Sequence, residues 1–303
     1  MKRIGVIANC SKPDSQSVLD RLARKATELG IRLFALGETA KHLPAAHRVT
    51  AASLRHKIDA LIALGGDGTL LHAAHILKHS DIPILGVNIG ALGFLTSITA
   101  SELEVAMERL SEGAFSLSTR SAISCAVFRG RKKLGSFTAL NDVVIGWGRS
   151  SRIITVDAEL DGDRIASYRC DGIIISTPTG STGHSLSAGG PIIHPEAEAL
   201  LLNVICPHTL SARPLVLPDR AGITLTVRVA ARPLLLSVDG QEELTLRQGD
   251  RLEIRRNPQG VRFIHLPDYS YFSVLRQKLQ WRGSSIEAGI VERQKNISSL
   301  PLQ

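Results

Sequence analysis

The chain has 303 residues, 44% of them hydrophobic and 21% charged, which gives apolar side chains enough for a buried core and excludes a disordered chain. Lys and Arg outnumber Asp and Glu by 36 to 28, a balance that favours anionic partners such as phosphates and nucleotides. No dense basic run with interleaved aromatics occurs, which argues against nucleic acid, and the scattered Cys10, Cys125, Cys170 and Cys206 form no CxxC pair, which argues against a zinc ribbon or a dense disulfide framework.

The first segment, MKRIGVIANC, reads as a β-strand over Ile4–Ala8; its apolar stretch is too short for a signal sequence or a membrane span, so a cytoplasmic protein without a membrane partner is expected. Asp14 to Gly30 reads as a helix, with Val18, Leu22, Ala26 and Leu29 on one face and Gly30 at its C-terminal end. Ile31–Leu36 is the next strand, Ile58–Leu64 another, Thr69 to His79 a helix and Ile82–Val87 a further strand. This alternation implies an open parallel sheet covered by helices over residues 1–115.

Near residue 115 the texture changes, and strand and turn signals dominate to about residue 265. Ile154, Val156, Ala158 and Leu160 alternate with polar residues ahead of an Asp161-Gly162 turn, and Ile223, Leu225, Val227 and Val229 repeat the period. Turns at Asp239-Gly240 and Gly249-Asp250 separate later strands, so a β-sandwich is expected over 116–265. Residues 266–303 form a third segment, in which Phe272, Leu275 and Leu279 are spaced for one helix face and the tail after Trp281 is polar and loose.

The sharpest local feature is the run Leu64 to Leu71, LGGDGTLL, which joins an apolar strand to a helix. Its glycines allow a tight turn and close approach of a ligand, and the helix start favours phosphate. Asp67 places a negative charge among those donors, which suits a base for a hydroxyl nucleophile or a helper in holding a metal; an ordinary glycine turn with Asp67 capping the helix is the alternative. No Gly is followed by Lys, so a P-loop is absent, and Gly86, Gly90 and Gly93 have the wrong spacing for a dinucleotide fingerprint.

A second constellation runs from Asp171 to Pro191, where an apolar strand enters a stretch dense in hydroxyls and glycine, suited to a polyhydroxylated, phosphate-bearing ligand or to a plain Ser/Thr/Gly loop. A third is Asn141-Asp142, an amide beside a carboxylate that can read a ribose or a base, or mark an edge-strand turn; Asp239-Gly240-Gln241 reads first as a hairpin turn. His72 and His75, three apart on the helix, fit surface histidines better than a metal pair, and no metal ligands are assigned.

Together these motifs resemble the NAD kinase family: LGGDGTLL (64–71), GVNIGALGFLT (86–96), ALNDVVIG (139–146), DGIIISTPTGST (171–182) and LSAGGPI (186–192) come in the family's order, and PHTLSARPLVL, SVDGQ and DYSYFSVLRQKLQW extend it. The resemblance implies a Rossmann-like α/β N-terminal domain, an all-β C-terminal sandwich and a C-terminal segment returning to the first domain. It implies phosphorylation of the 2′-hydroxyl of the adenosine ribose of NAD, with ATP as donor and Mg²⁺ or another divalent metal. It also implies a homo-oligomer, dimer or tetramer, with sites near subunit contacts.

By position Asp67 matches the catalytic carboxylate, within a loop whose Gly66, Gly68 and Thr69 approach phosphate. Phe94 matches a residue on the adenine side of the pocket, and Asn141 and Asp142 the pair at the NAD ribose. Asp171, Thr182, Gly183, His184 and Ser187 match substrate-pocket positions, with Arg169 beside them as a candidate phosphate or nucleotide contact. Many relatives have Asn-Glu where this chain has Asn141-Asp142, and Ala-Tyr where it has Gly183-His184, which shortens one carboxylate and trades a phenol ring for an imidazole. A lipid or sugar kinase with the same glycine loop, and a non-catalytic nucleotide sensor, are the rival readings.

Overall fold

The computed structural model describes residues 1–77, 80–90, 93–146, 153–230 and 232–281. The expected loose tail, the last two residues of the Thr69–His79 helix, and Ala91 and Leu92 lie outside these residues. In chain order the first half contains β1 (Arg3–Ala8), α1 (Ser15–Glu28), β2 (Arg32–Ala35), α2 (Thr39–His42), β3 (His47–Arg48), α3 (Ala51–Leu54), β4 (Ala60–Gly65), α4 (Asp67–Leu77), β5 (Ile84–Asn88), β6 (Ile98–Thr99) and α5 (Leu103–Glu112). There follow β7 (Ser116–Arg129), β8 (Lys132–Ala139), β9 (Asp142–Gly146), β10 (Ile154–Leu160), β11 (Asp163–Cys170), β12 (Gly172–Ser176), α6 (His184–Ser187), β13 (Ala199–Ile205), β14 (Leu215–Pro218), β15 (Ile223–Val229), β16 (Leu234–Val238), β17 (Glu242–Leu246), β18 (Asp250–His265) and α7 (Tyr271–Leu279).

The N-terminal half is the expected α/β unit. Its parallel strands run β5-β4-β1-β2-β3, so the order reverses direction between β1 and β4. In open α/β sheets such a switch point leaves a crevice at the carboxyl ends of the strands, here beside Ala8 and Gly65. The helix α1 buries Val18, Leu19, Leu22 and Ala26 against the sheet, and Gly30 ends the chain turn at φ +63°. The short elements α2, β3 and α3 carry too little periodicity to be read from sequence; α5, not among the expected elements, buries Leu103, Ala106, Met107 and Leu110 at helical spacing.

The second half is a sandwich of two antiparallel layers. One layer is the sheet β14-β13-β12-β9-β16-β17; the other contains β11, β10, β15, β18, β7 and β8. Ile154, Val156 and Ala158 of β10, and Ile223, Leu225 and Val227 of β15, lie in the core between the layers together with Ile173 and Ile175 of β12. Val229, expected on that face, is instead exposed at the strand end. Asp161 and Gly162, and Asp239 and Gly240, all have positive φ, as two-residue hairpin turns require.

One strand belongs to both halves. β18 pairs antiparallel with β15 and β7, passes an irregularity between Asn257 and Val261, and then lies parallel to β5 at Phe263 and Ile84. The two halves therefore share a continuous sheet. α7 follows and buries Val274 and Leu275; Phe272, expected on its inner face, is 57% exposed, because the helix turns that position outward to His194. Phe263 is 2% exposed and packs with Leu61, Leu70 and Ile84. Phe263→Ala is expected to lower unfolding free energy by about 3–5 kcal/mol in urea titration; a loss below about 1 kcal/mol contradicts the role of this join.

Candidate active site

The fully buried strand β4 ends at Gly65, where a Cβ would lie 2.2 Å from Thr69 Oγ1. The missing side chain lets the chain fold back at once, with the Thr69 and Leu70 N–H groups donating to the Gly66 carbonyl. Asp67 opens α4, but its carboxylate turns to the neighbouring loop: the Phe94 N–H donates to Oδ2 at 2.9 Å and the Leu95 N–H to Oδ1 at 3.0 Å. A Cβ on Gly93 would stand 2.0 Å from Asp67 Oδ1, so this approach requires glycine there.

At the switch point, Asn9, Lys12, Gly66, Gly68 and Thr69 line an open cleft. The Lys12 ammonium donates to the Gly65 carbonyl at 3.1 Å and to the Ile89 carbonyl, which fixes a positive charge over the glycine turn. Lys12 was not singled out from sequence, because a lone lysine after a first strand carries no pattern. Beside it, Asn88 Oδ1 is buried without a partner, while Asn88 Nδ2 donates to the Gly90 carbonyl.

On the other side of Asp67, a second cavity is lined by Phe94, Leu95, Thr179, Thr182, Arg120 and Tyr271, among others. Thr179 and Tyr271 line it, and the Thr179 Oγ1 and Tyr271 hydroxyl are buried without partners. His265 stacks on Tyr269 at 3.8 Å on the same wall; burial, with the Arg120 charge second, lowers its pKa to about 4 and keeps the ring neutral. Lys278 of α7 sits 5.4 Å over the Phe94 ring.

The Asn141-Asp142 pair is fixed by Asp239. The amides of Leu140, Asn141 and Asp142 all donate to the Asp239 carboxylate at 2.8–3.0 Å, and His75 Nε2 lies 3.1 Å from it. The hairpin reading of Asp239-Gly240 thus holds for the backbone, but the Asp239 side chain is also a structural anchor. His75 of the pair singled out on α4 is taken up by this contact, and His72 is exposed; among the described residues no group of three or more potential ligands could hold a metal ion. Gly180 packs so tightly on Asn141 that a Cβ would reach its carbonyl oxygen at 2.1 Å, and a Cβ on Gly183 would lie 3.7 Å from Asn141 Nδ2 and 4.0 Å from Asp142 Oδ2. Asn141 Oδ1 is a further buried oxygen without a partner.

The structure thus brings Asp67 and Phe94 into contact, joins Phe94 and Thr182 in one cavity, and sets Gly183 beside Asn141 and Asp142. Arg169 and Asp171 are not brought to this cluster. Arg169 lies near the end of β11 and Asp171 just before β12, whose far end, Ser176, is the residue that pairs with Asp142. Five residues of strand place them about 16 Å away. Arg169 is exposed and Asp171 is 3.8 Å from His208. His184 and Ser187 are exposed on the short α6.

Burial, and secondarily the nearby Asp239 charge, pushes Asp142 up from 3.8 to about 7. A carboxyl raised in this way binds its proton more tightly folded than unfolded. Its contribution to stability is therefore full below about pH 4 and is lost as pH rises towards 7, at up to about 1.4 kcal/mol per pH unit. Unfolding titrations at several pH values should show this decline, and Asp142→Asn should flatten it; an unchanged profile in the variant would contradict the assignment.

The family description ATP-NAD kinase N-terminal domain matches residues 4–115, and ATP-NAD kinase C-terminal domain matches residues 140–266. The chain is 44% identical over 284 residues to the NAD kinase of Gemmatimonas aurantiaca, covering 93% of this chain and 97% of that one. It is 41% identical over 282 residues to that of Syntrophotalea carbinolica, covering 93% and 99%. In fold it is similar to yeast NADH kinase complexed with NADH, with a TM-score of 0.87 at 23% identity over 94% of this chain and 89% of that one. An NAD kinase from Archaeoglobus fulgidus in complex with ATP gives a TM-score of 0.74 at 24% identity, covering 93% and 100%. A glycine turn that aims a carboxylate between two clefts, a hydroxyl-rich strand end beside it and two family matches over most of the chain lead to one conclusion: the chain belongs to the NAD kinase family.

Proposed function

We propose that the chain transfers the terminal phosphoryl group of ATP to the 2′-hydroxyl of the adenosine ribose of NAD, giving NADP and ADP. The observation that carries the reading is the position of Asp67. Its chain neighbours Gly66 and Gly68 line the Lys12 cleft, and Phe94 and Leu95, whose amides hold its carboxylate, line the cavity that Thr182 shares. Each oxygen accepts one backbone N–H, which orients the carboxylate and leaves a lone pair free to take a hydroxyl proton.

In this reading the acceptor ribose lies against Asn141, Asp142 and Gly183, with its adenine towards Phe94 and Thr182. Asp67 takes the 2′-hydroxyl proton as the oxygen attacks the phosphorus. The amides at Gly66 and Gly68 and the Thr69 hydroxyl, with the Lys12 ammonium, hold the donor phosphates in line. A divalent cation such as Mg²⁺ would supply offsetting positive charge to those phosphates. The oxygens that suit it are the Asp67 carboxylate and the partnerless Asn88 Oδ1.

Arg169 and Asp171, far from Asp67 within the chain, fit a contact with the site of a second copy. Leu210, 96% exposed, and Val216, 57% exposed on the edge strand β14, support a homo-oligomer, dimer or tetramer. The boundaries 1–115, 116–265 and 266–303 are retained as functional units, although β18 ties them together. No helix among the described residues is long and apolar enough to cross a membrane. All four cysteines are free, which supports a reducing, cytoplasmic setting.

Asp67→Asn should bind NAD with near-normal affinity by calorimetry and lose about 100-fold or more in kcat. Gly93→Ala, which drives a methyl into the Asp67 carboxylate, should fold and lose turnover on a similar scale. Near-normal kcat in Asp67→Asn would remove the base assignment.

A further inference from the structure

Arg120 carries a buried charge that the proposed reaction does not use. Ser116, Ser118 and Arg120 alternate along β7 and so share one face of that strand. They meet the end of β18, where Arg120 pairs with Val261, Ser118 with Phe263 and Ser116 with His265. Arg120 is 7% exposed. Its Nη2 lies 3.4 Å from His265 Nε2, and its charge acts on the Tyr269 hydroxyl. The His265 ring is neutral and the phenol keeps its proton, so neither group offsets the guanidinium. Among the described residues no carboxylate oxygen lies within 4.0 Å of it. A guanidinium has five donors and no acceptor, and burying it without a counter-ion is costly; its ordinary complement is a carboxylate or a phosphate.

A pocket of about 260 Å³ opens beside this side chain, lined by Ser118, Arg120, Glu196, Leu266 and Pro267 among others. About 10–15 Å³ admits one water, so a phosphate ion fits there with water around it. Arg120, Pro195, His265, Tyr269 and Tyr271 line both this pocket and the cavity beside Phe94, whereas Phe94, Leu95, Thr179 and Thr182 line only the latter of the two. Arg120 therefore stands in a partition, with the outer pocket on the side away from Phe94. Tyr271, in the same partition, carries a buried hydroxyl without a partner.

We infer that the outer pocket is a binding site for a small free oxyanion, with inorganic phosphate as the fitting ligand, held by the fork of Arg120 and by the Ser118 hydroxyl. The inference stands apart from the kinase reading, since it needs only the buried charge and the room beside it. The tautomer of His265 with its proton on Nε2 donates to Ser118 Oγ at 2.7 Å, which frees the serine proton for the ligand. Glu196, exposed at the pocket, opposes an anion and makes the site weaker without filling it.

The test titrates the full chain with inorganic phosphate by calorimetry in a chloride buffer, in wild type and again with Lys12→Ala, which takes the Lys12 cleft out of the readout. Saturable binding that survives Lys12→Ala is the expected result. Arg120→Lys keeps the charge but loses the planar fork and should weaken this binding by about tenfold or more, and Arg120→Gln should abolish it. Glu196→Gln removes the opposing charge at an exposed position and should tighten binding by about twofold or more at low ionic strength, a gain that added salt suppresses. Saturating NAD should leave the phosphate affinity unchanged, because the pocket lies beyond the partition. Absence of saturable binding in Lys12→Ala overturns the inference, as does unchanged affinity in a folded Arg120 variant. If neither Arg120 variant folds, Glu196→Gln decides, and an unchanged affinity there overturns it. Competition between NAD and phosphate overturns the separate site and gives the guanidinium to the diphosphate of the dinucleotide.

Discussion

The arrangement depends on one contact: two backbone amides of the 93–95 loop hold the Asp67 carboxylate against a glycine that leaves room for nothing larger. A carboxylate at a helix start ordinarily caps its own helix. Here the tight turn at Gly65 and the bare Cα of Gly93 present it sideways, so the helix amides stay available to phosphate and the carboxylate faces the acceptor side. The same contact joins the turn after β4 to the loop after β5, so the geometry of the base is a property of the parallel sheet.

The second half of the chain is brought to this point by two devices. β18 runs from the sandwich into the parallel sheet and ends among the aromatic walls of the acceptor cavity. The buried Asp239 carboxylate gathers three consecutive amides and orients Asn141 and Asp142 toward the glycine turn at 180–183. Both devices hold backbone, so side chains in the cavity can vary while the frame persists. The protonation behaviour of Asp142 follows from that frame, because the anchor that positions it buries its carboxyl and, secondarily, places a second carboxylate near it.

Much of this was legible in the sequence, and the limits are physical. Long periodic segments such as α1 and β10 announced themselves, and the strand-turn-helix form of the glycine loop followed from an apolar run meeting three glycines. The α/β and all-β division also followed from pattern. What the pattern could not carry was long-range closure. Nothing local in Lys12, Gly93 or Asp239 says that they meet residues tens to a hundred positions away. The sharing of β18 between both halves was hidden because a strand's sequence does not name its neighbours. Arg169 and Asp171 sat near the hydroxyl-rich loop in sequence, yet an extended strand carries them to its opposite end. Phe272 fitted a helical spacing but faces outward, since three apolar residues do not fix which arc of a short helix meets the core.

The most direct measurement is phosphorus NMR of the purified protein incubated with ATP, Mg²⁺ and NAD, reading where the phosphoryl group goes. Formation of one ribose 2′-phosphomonoester for each ADP released is the predicted result. Release of inorganic phosphate without a new monoester, or a monoester on any other hydroxyl, would contradict the placement of Asp67 between donor and acceptor.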